Sequence, residues 1–197
     1  MTDLLSLSLK ELKELFPEPK YLAGQIFPFL HNGATFDEMT SLKKDLREKL
    51  KEEYIANPVA IREKFVGKSG TIKYLFELTD GNLIEGVYMP HDYGNTLCLS
   101  TQIGCRMGCS FCASGLDGLL RNLTPGEMLG QVIAVNRDNG GNIKDRAVTN
   151  LVLMGSGEPL DNYDNVLRFL SLCKDEYGIS LRNISLSTSG LADKVKM

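Results

Sequence analysis

The spacing of hydrophobic residues separates a helical N-terminal part of the chain from a longer part in which strands and helices alternate. Over residues 1–58 apolar positions recur every three or four residues, as they do along one face of a helix. Ser8 and Glu11 form the capping-box pattern of a first helix. A second helical segment, with a proline inside it, is predicted over residues 21–30, and a third helix is predicted over residues 36–54.

The following segment alternates apolar and polar residues instead. This period of two predicts a half-buried strand over residues 72–78. Asp80-Gly81-Asn82 is a turn sequence that leads into a second strand over residues 83–89, so the segment is predicted to form a β-hairpin. Glu85 and Val87 share one face of that second strand.

Strands, loops and helices then repeat to the end of the sequence. Strands are predicted over residues 97–103, 148–154 and 184–188, and helices are predicted after the capping box at Thr124 and over residues 166–177. Alternating elements of this length predict an α/β fold with a parallel sheet and crossover helices. Ligand sites in such folds lie at the C-terminal ends of the strands, where the glycine-rich and serine-rich loops of this chain fall.

Composition narrows the class of protein only a little. The chain has 197 residues, of which 43% are hydrophobic and 24% charged, as is ordinary for a soluble globular protein. No apolar run approaches the length of a membrane span and no signal-peptide pattern is present, so a cytoplasmic protein is expected. The net charge of −3 gives no basic signature of nucleic-acid binding.

The strongest chemical signal is the pattern C-x-x-x-C-x-x-C formed by Cys105, Cys109 and Cys112. A structural zinc site usually takes four ligands, and ferredoxin-type clusters also take four thiolates. Three thiolates would hold three irons of a cubane cluster and leave the fourth iron open to a cofactor such as S-adenosylmethionine. Buried loop thiols, or half of a zinc site, are the alternative interpretations.

Further motifs surround these cysteines, and together they resemble a known family. The sequence PHDYGNTLC occupies residues 90–98, LRNLT occupies residues 120–124, and MGSGEPL occupies residues 154–160. The chain resembles the radical S-adenosylmethionine superfamily, and within it the dual-specificity adenine-C2 methyltransferases of 23S rRNA and tRNA. The resemblance runs from Leu7 to about Leu191.

The resemblance implies cofactors and residue roles. Its cofactors are a [4Fe-4S] cluster and S-adenosyl-L-methionine, and the cluster ligands are Cys105, Cys109 and Cys112. The residues that match cofactor-binding positions of the family are Gly157, Glu158 and Ser187. Glu85 matches the family's proton acceptor, and Cys98 matches the resolving cysteine, which forms a disulfide with a methyl-carrying cysteine far downstream to release the product.

The resemblance also implies a domain organisation and partners. Residues 1–58 correspond to an RNA-binding helical domain, residues 59–90 to a β-hairpin linker, and residues 91–197 to the first half of a radical-SAM partial (β/α) barrel. The expected substrates are 23S rRNA and tRNA. An electron donor such as flavodoxin or ferredoxin is implied, and a monomer without membrane contact is expected.

The sequence departs from the family at its end, and alternatives remain open. No cysteine follows Cys173, so the methyl-carrying cysteine is absent, and the chain is expected to be a fragment that does not complete methyl transfer. A related C8-adenine methyltransferase that confers antibiotic resistance shares the same motifs. A non-catalytic RNA-binding remnant and a structural zinc protein are the other hypotheses.

Overall fold

Three short helices and a small parallel ladder form the N-terminal region. The computed structural model describes residues 1–195, so the last two residues of the predicted third domain lie outside the described part. The elements are β1 (Thr2–Asp3), α1 (Leu9–Leu15), α2 (Leu22–His31), α3 (Lys44–Glu53) and β2 (Tyr54–Ile55), with β1 parallel to β2. None of the described helices is long and apolar enough to span a membrane.

Local capping chemistry decides where α1 begins. The capping box that opens α1 is confirmed, because the Ser8 side chain accepts from the Glu11 amide and the Glu11 carboxylate accepts from the Ser8 amide. The prediction of one helix over residues 36–54 is wrong, since α3 begins only at Lys44. A separate capping box at Thr35 forms a single 3₁₀ turn, and the chain then turns before it enters α3.

Helix α2 continues past its proline. Pro28 lies inside the ten-residue helix, where it removes one amide donor. The carbonyl left without this donor belongs to Gly24, four residues earlier in the same helix. The helix continues past this point, and at its end the Asn32 amide and side chain both donate to the Pro28 carbonyl.

One six-stranded sheet runs through the rest of the chain. Its first strands are antiparallel: β3 (Val59–Val66), β4 (Ile72–Leu78) and β5 (Leu83–Met89). After β6 (Thr96–Cys98), strands β7 (Gln102–Gly104) and β8 (Leu119–Asn122) form a separate two-stranded ladder. Helix α4 (Pro125–Asp138), strand β9 (Asn150–Leu153), helix α5 (Tyr163–Asp175), strand β10 (Ile184–Leu186) and helix α6 (Ala192–Val195) follow.

The strand order is β10-β9-β6-β5-β4-β3, with β6, β9 and β10 parallel. The predicted parallel sheet and the hairpin of β4 and β5 are therefore confirmed, although the parallel strands are shorter than predicted. Strand β3 was not predicted; its residues after Val59 are largely exposed and carry charges on both faces, as an edge strand can. Within the described residues the sheet does not close into a barrel.

The strand predicted over residues 97–103 is in fact two strands, β6 and β7. Ser100 lies in the break, and its backbone groups pair with the side chain of Gln131 on α4 instead of with a neighbouring strand. The Ser100 amide donates to Gln131 Oε1 at 3.0 Å, and Gln131 Nε2 donates to the Ser100 carbonyl at 3.0 Å. A fully buried side-chain amide thus replaces one residue of sheet pairing.

The two faces of the sheet have different surroundings. Ile84 and Tyr88 of β5 are buried in the common core with Leu97, Leu151 and residues of α4 and α5. The opposite, uncovered face carries Glu85, Val87, Cys98 and Val152 side by side, since Val87 pairs with Cys98 and Cys98 with Val152. Directly paired residues point to the same face of a sheet, so this face is continuous across three strands.

A buried histidine joins the helical region to the core. His31 is 1% exposed, stacks on Phe27 with ring centroids 4.0 Å apart, and lies 3.0 Å through Nδ1 from the Phe27 carbonyl. Its Nε2 has no hydrogen-bond partner within residues 1–195. Burial lowers the pKa of His31 from 6.5 to about 4, so the folded protein holds a neutral imidazole.

We predict that His31 makes the protein less stable in mild acid. Between pH 6.5 and 4 the His31 imidazole is protonated in the unfolded chain but stays neutral in the folded chain. The free energy of unfolding therefore falls as pH falls, by about 3 kcal/mol over this range of pH. Urea denaturation of the wild type and of His31→Phe at several pH values measures this. The variant should lose this part of the pH dependence, and equal slopes in both proteins would contradict the prediction.

Candidate functional site

The candidate cluster and cofactor residues converge on one cleft at the C-terminal ends of β9 and β10. The cleft has a volume of about 330 Å³. Its lining includes all six residues predicted for these roles, namely Cys105, Cys109, Cys112, Gly157, Glu158 and Ser187. Three separate segments of the chain supply them, so the convergence is a property of the fold and not of one local motif.

The cysteines lie on a tight loop between β7 and β8. Gly104 opens this loop with a φ of +73°, and a side chain there would clash with the Gly118 carbonyl oxygen. The Cys105 amide donates to that same carbonyl at 3.0 Å, and the Cys112 amide donates to the Cys109 carbonyl at 3.0 Å. These bonds fold the loop back on itself, so that its three thiols line the same cleft.

The donor set fits an iron–sulfur cluster. All three cysteines are free thiols and at least partly accessible, as cluster ligands must be before assembly. Thiolates are the soft ligands that iron–sulfur clusters select. Within the described residues no three His, Cys, Asp or Glu side chains lie close enough together to hold a single metal ion. Three thiols around an open cleft could hold a cluster with one open iron.

Glycines bring the backbone of the second loop close to its neighbours. Gly157 has a φ of +104°, and a Cβ there would lie 2.6 Å from the Cβ of Gln102. The next amide, that of Glu158, donates to Gln102 Oε1 at 2.8 Å. The segment Gly155–Glu158, referred to below as the cofactor loop, is therefore held against the strand that leads into the cysteines.

The Glu158 carboxylate ties the cofactor loop to the end of β10. One oxygen accepts from Thr188 Oγ1 at 2.6 Å and from the Leu160 amide, and the other accepts from the amide and hydroxyl of Ser189. Burial raises the pKa of Glu158, but these bonds outweigh burial and leave the pKa below its ordinary value. The ionised carboxylate therefore shapes the cleft wall next to Ser187.

Buried amides that were not singled out in the sequence support both loops. Asn162 is 2% exposed, and its Nδ2 donates to the carbonyls of Thr101 and Leu123 at 2.8 and 2.9 Å. Gln102 and Gln131 are fully buried and bond equally well. In the sequence these residues appear only as polar residues among apolar ones, as Gln131 does between Leu129 and Val132. Such a pattern is compatible with many roles and does not predict a buried hydrogen bond.

Glu85 and Cys98 lie outside this cleft. Glu85 is half exposed and forms an ion pair with Lys73 at 2.7 Å. Cys98 is partly buried, and burial raises the pKa of its thiol although the Met154 backbone forms a hydrogen bond with it. The two residues share the uncovered face of the sheet, and Met154, with which the Cys98 strand is aligned through Val152, lines the cleft.

Comparison with known proteins agrees with this arrangement. Residues 99–196 match the family model of the radical SAM superfamily, and residues 2–55 match that of the ribosomal RNA large subunit methyltransferase N-terminal domain. The chain belongs to the radical SAM superfamily, with the RlmN-type proteins. The family resemblance of the sequence is thereby confirmed, and this membership implies a [4Fe-4S] cluster and S-adenosylmethionine.

Individual RlmN-type relatives are similar over almost the whole chain. A probable dual-specificity RNA methyltransferase RlmN of Alkaliphilus oremlandii is 50% identical over 98% of this chain and 57% of its own length. One of Clostridium novyi is 48% identical over 100% of this chain and 58% of its own length. The chain thus spans less than two thirds of these curated relatives. Their names do not favour the C8-methyltransferase alternative.

A solved structure supports the same family and fold. A radical SAM methyltransferase from Sphaerobacter thermophilus superposes with a TM-score of 0.88 at 40% sequence identity. The match covers 97% of this chain and 58% of the other protein. The predicted α/β fold class is therefore confirmed for the part of a radical SAM protein that this chain contains.

We predict that Gly157→Ala lowers the stability of the protein by more than the strain of a positive φ alone would cause. Gly140→Ala is the matched control, because Gly140 also has a positive φ, +78°, but has nothing near its missing Cβ. The control should cost about 1–2 kcal/mol of stability, and Gly157→Ala about 1–3 kcal/mol more, since the Gln102 side chain must move. Chemical denaturation measures both values, and equal losses would show that contact with Gln102 is unimportant.

Proposed function

We propose that this chain carries the cluster-binding and cofactor-binding part of an RNA methyltransferase that modifies C2 of a specific adenine in 23S rRNA and in tRNAs. The observation that carries the proposal is the single cleft in which three thiols face the cofactor loop. The names of the relatives support RNA as the substrate class. Because those relatives are longer, the activity of the whole protein is part of the proposal.

Each residue of the cleft has a proposed task. Cys105, Cys109 and Cys112 hold the cluster. Gly157 lets backbone groups approach the methionyl end of S-adenosylmethionine, and Glu158 keeps the Ser187 end of β10 in place. When bound, cluster and cofactor supply radical chemistry that can remove a hydrogen atom from an unactivated methyl group. The protein supplies orientation and exclusion of water.

Glu85 and Cys98 are proposed to act on the uncovered face of the sheet. Glu85 would accept the proton from adenine C2, and the Lys73 ammonium 2.7 Å away holds its carboxylate in place. Cys98 would act as the resolving thiol. After losing its proton it would attack the sulfur of the methyl-carrying cysteine, so that an S–S bond forms, the bond from that sulfur to the transferred carbon breaks, and its electron pair takes up a proton to leave a methyl group on the base. The closeness of both residues on one face supports a shared substrate position there.

The remaining partners follow from the same proposal. Residues 1–58 would bind RNA, and an electron donor such as flavodoxin or ferredoxin would reduce the cluster. The protein is proposed to be a cytoplasmic monomer. For residues 1–197 the proposal covers cluster binding, cofactor binding and cofactor cleavage.

The decisive test is anaerobic reconstitution with iron and sulfide. We expect an EPR signal of a reduced cubane cluster that shifts when S-adenosylmethionine is added, and 5′-deoxyadenosine as a product after reduction. Cys105→Ala should abolish both results. Cys173→Ala is the control, because this thiol is buried in the core away from the cleft. A soluble, folded wild-type protein that assembles no cluster would overturn the proposal.

We also predict that the Cys98 thiol reacts slowly until the solution is strongly alkaline. Burial raises its pKa, so the rate of alkylation by iodoacetamide should continue to rise above about pH 8.5, where an ordinary cysteine thiol is half ionised. Mass spectrometry of the cluster-free protein after timed labelling gives the rate at each pH. A rate that levels off near pH 8.5 would show that burial does not control this thiol.

A further inference from the structure

Arg106 directly follows the first cluster cysteine, and its guanidinium reaches across to the segment that continues the cofactor loop. Nε lies 2.8 Å from Asp161 Oδ2, and Nη2 lies 2.8 Å from Asp161 Oδ1. Asp161 belongs to the 3₁₀ turn Pro159–Asn162, which begins right after Glu158. A bidentate salt bridge of this kind fixes the relative orientation of the two side chains as well as their distance.

The Asp161 carboxylate also accepts a hydrogen bond from a buried glutamine side chain. Gln102, which is fully buried, donates from Nε2 to Asp161 Oδ2 at 3.0 Å and to Asn122 Oδ1 at 2.7 Å. Its Oε1 accepts from the Glu158 amide at 2.8 Å. One side chain thus connects Asp161 with the strand before the cysteines, the strand after them and the cofactor loop.

Few other side chains connect the two loops. From the described cysteine loop, residues 105–118, only Arg106 and Ser114 form side-chain hydrogen bonds to residues 155–162. The Ser114 contact is a neutral bond of 3.2 Å between the hydroxyls of Ser114 and Ser156. The bidentate salt bridge between Arg106 and Asp161 is therefore the stronger of the two connections.

We propose that Arg106, Asp161 and Gln102 are positioning residues that lock the cysteine loop to the cofactor loop. The lock would fix where the cluster stands relative to the methionyl end of S-adenosylmethionine. This inference rests on the proposed function for its chemical meaning, but the lock itself is a property of the protein without cofactors. It can therefore be tested before any cluster is assembled.

The first experiment is hydrogen exchange on the cluster-free protein. Arg106→Gln should raise the exchange rates of the Cys105 and Cys112 amides roughly tenfold, because the loop opens more often without its charged contact. Strands β4 and β5 should keep their rates. Arg62→Gln is the matched control, since Arg62 forms an exposed pair with Glu77 at 3.3 Å, away from the cleft.

A double-mutant cycle measures the coupling between Arg106 and Asp161 separately from the effect of each residue alone. Asp161→Asn should raise the same exchange rates, and the double variant Arg106→Gln with Asp161→Asn should exchange no faster than the single variants. Additive effects would mean that the two residues act independently. Exchange in Arg106→Gln equal to that of the wild type and of Arg62→Gln would overturn the proposal.

The second experiment distinguishes positioning by this charged pair from general loop stability. In reconstituted protein, Arg106→Gln leaves a carboxylate without its counter-charge and should lower the cluster's reduction potential, whereas Asp161→Asn leaves a cation and should raise it. General loosening would shift both variants in the same direction. If the wild type assembles no cluster, the proposed function fails while the exchange result still decides whether the lock exists.

Discussion

The structure depends on how the backbone amide and carbonyl at the interruption between strands β6 and β7 find hydrogen-bond partners inside the protein. After Leu99 the chain leaves the main sheet, and the Ser100 amide and carbonyl would be unpaired in the core without the Gln131 side chain. An unpaired buried donor or acceptor costs about 1–3 kcal/mol, so the break is tolerated only because an amide on α4 supplies both partners. Beyond the break the chain pairs with β8 in a separate ladder, and the cysteine loop lies between these two strands.

The same principle extends outwards to the loops of the site. Asn162 satisfies carbonyls at Thr101 and Leu123, and Ser100 Oγ donates to the Glu85 carbonyl while accepting from the Ser156 amide. Each of these side chains bonds to main-chain atoms of a different segment. The loops are therefore fixed by a buried polar network, which explains how flexible, glycine-rich segments can form a defined cleft.

Sequence reasoning succeeded where short-range chemistry decides the structure. The capping boxes of α1 and α4 and the turn between β4 and β5 depend on residues only a few positions apart, and all three are confirmed. Sequence reasoning failed where a distant residue decides, as at the break that Gln131 stabilises. The edge strand β3 was missed because its charges on both faces conceal the alternation that marks a strand. Family motifs identified the residues of the cleft, whereas the amides beneath it carry no motif.

The uncovered face of the sheet connects the two groups of candidate residues. Cys98 lies beside Val152 on β9, and Met154, which lines the cleft, comes two residues later along the same strand direction. This face therefore leads from Glu85 and Cys98 towards the mouth of the cleft. The Cys98 thiol and the rim of the cleft are neighbours because one register of paired strands sets Cys98 beside Val152, two residues before Met154.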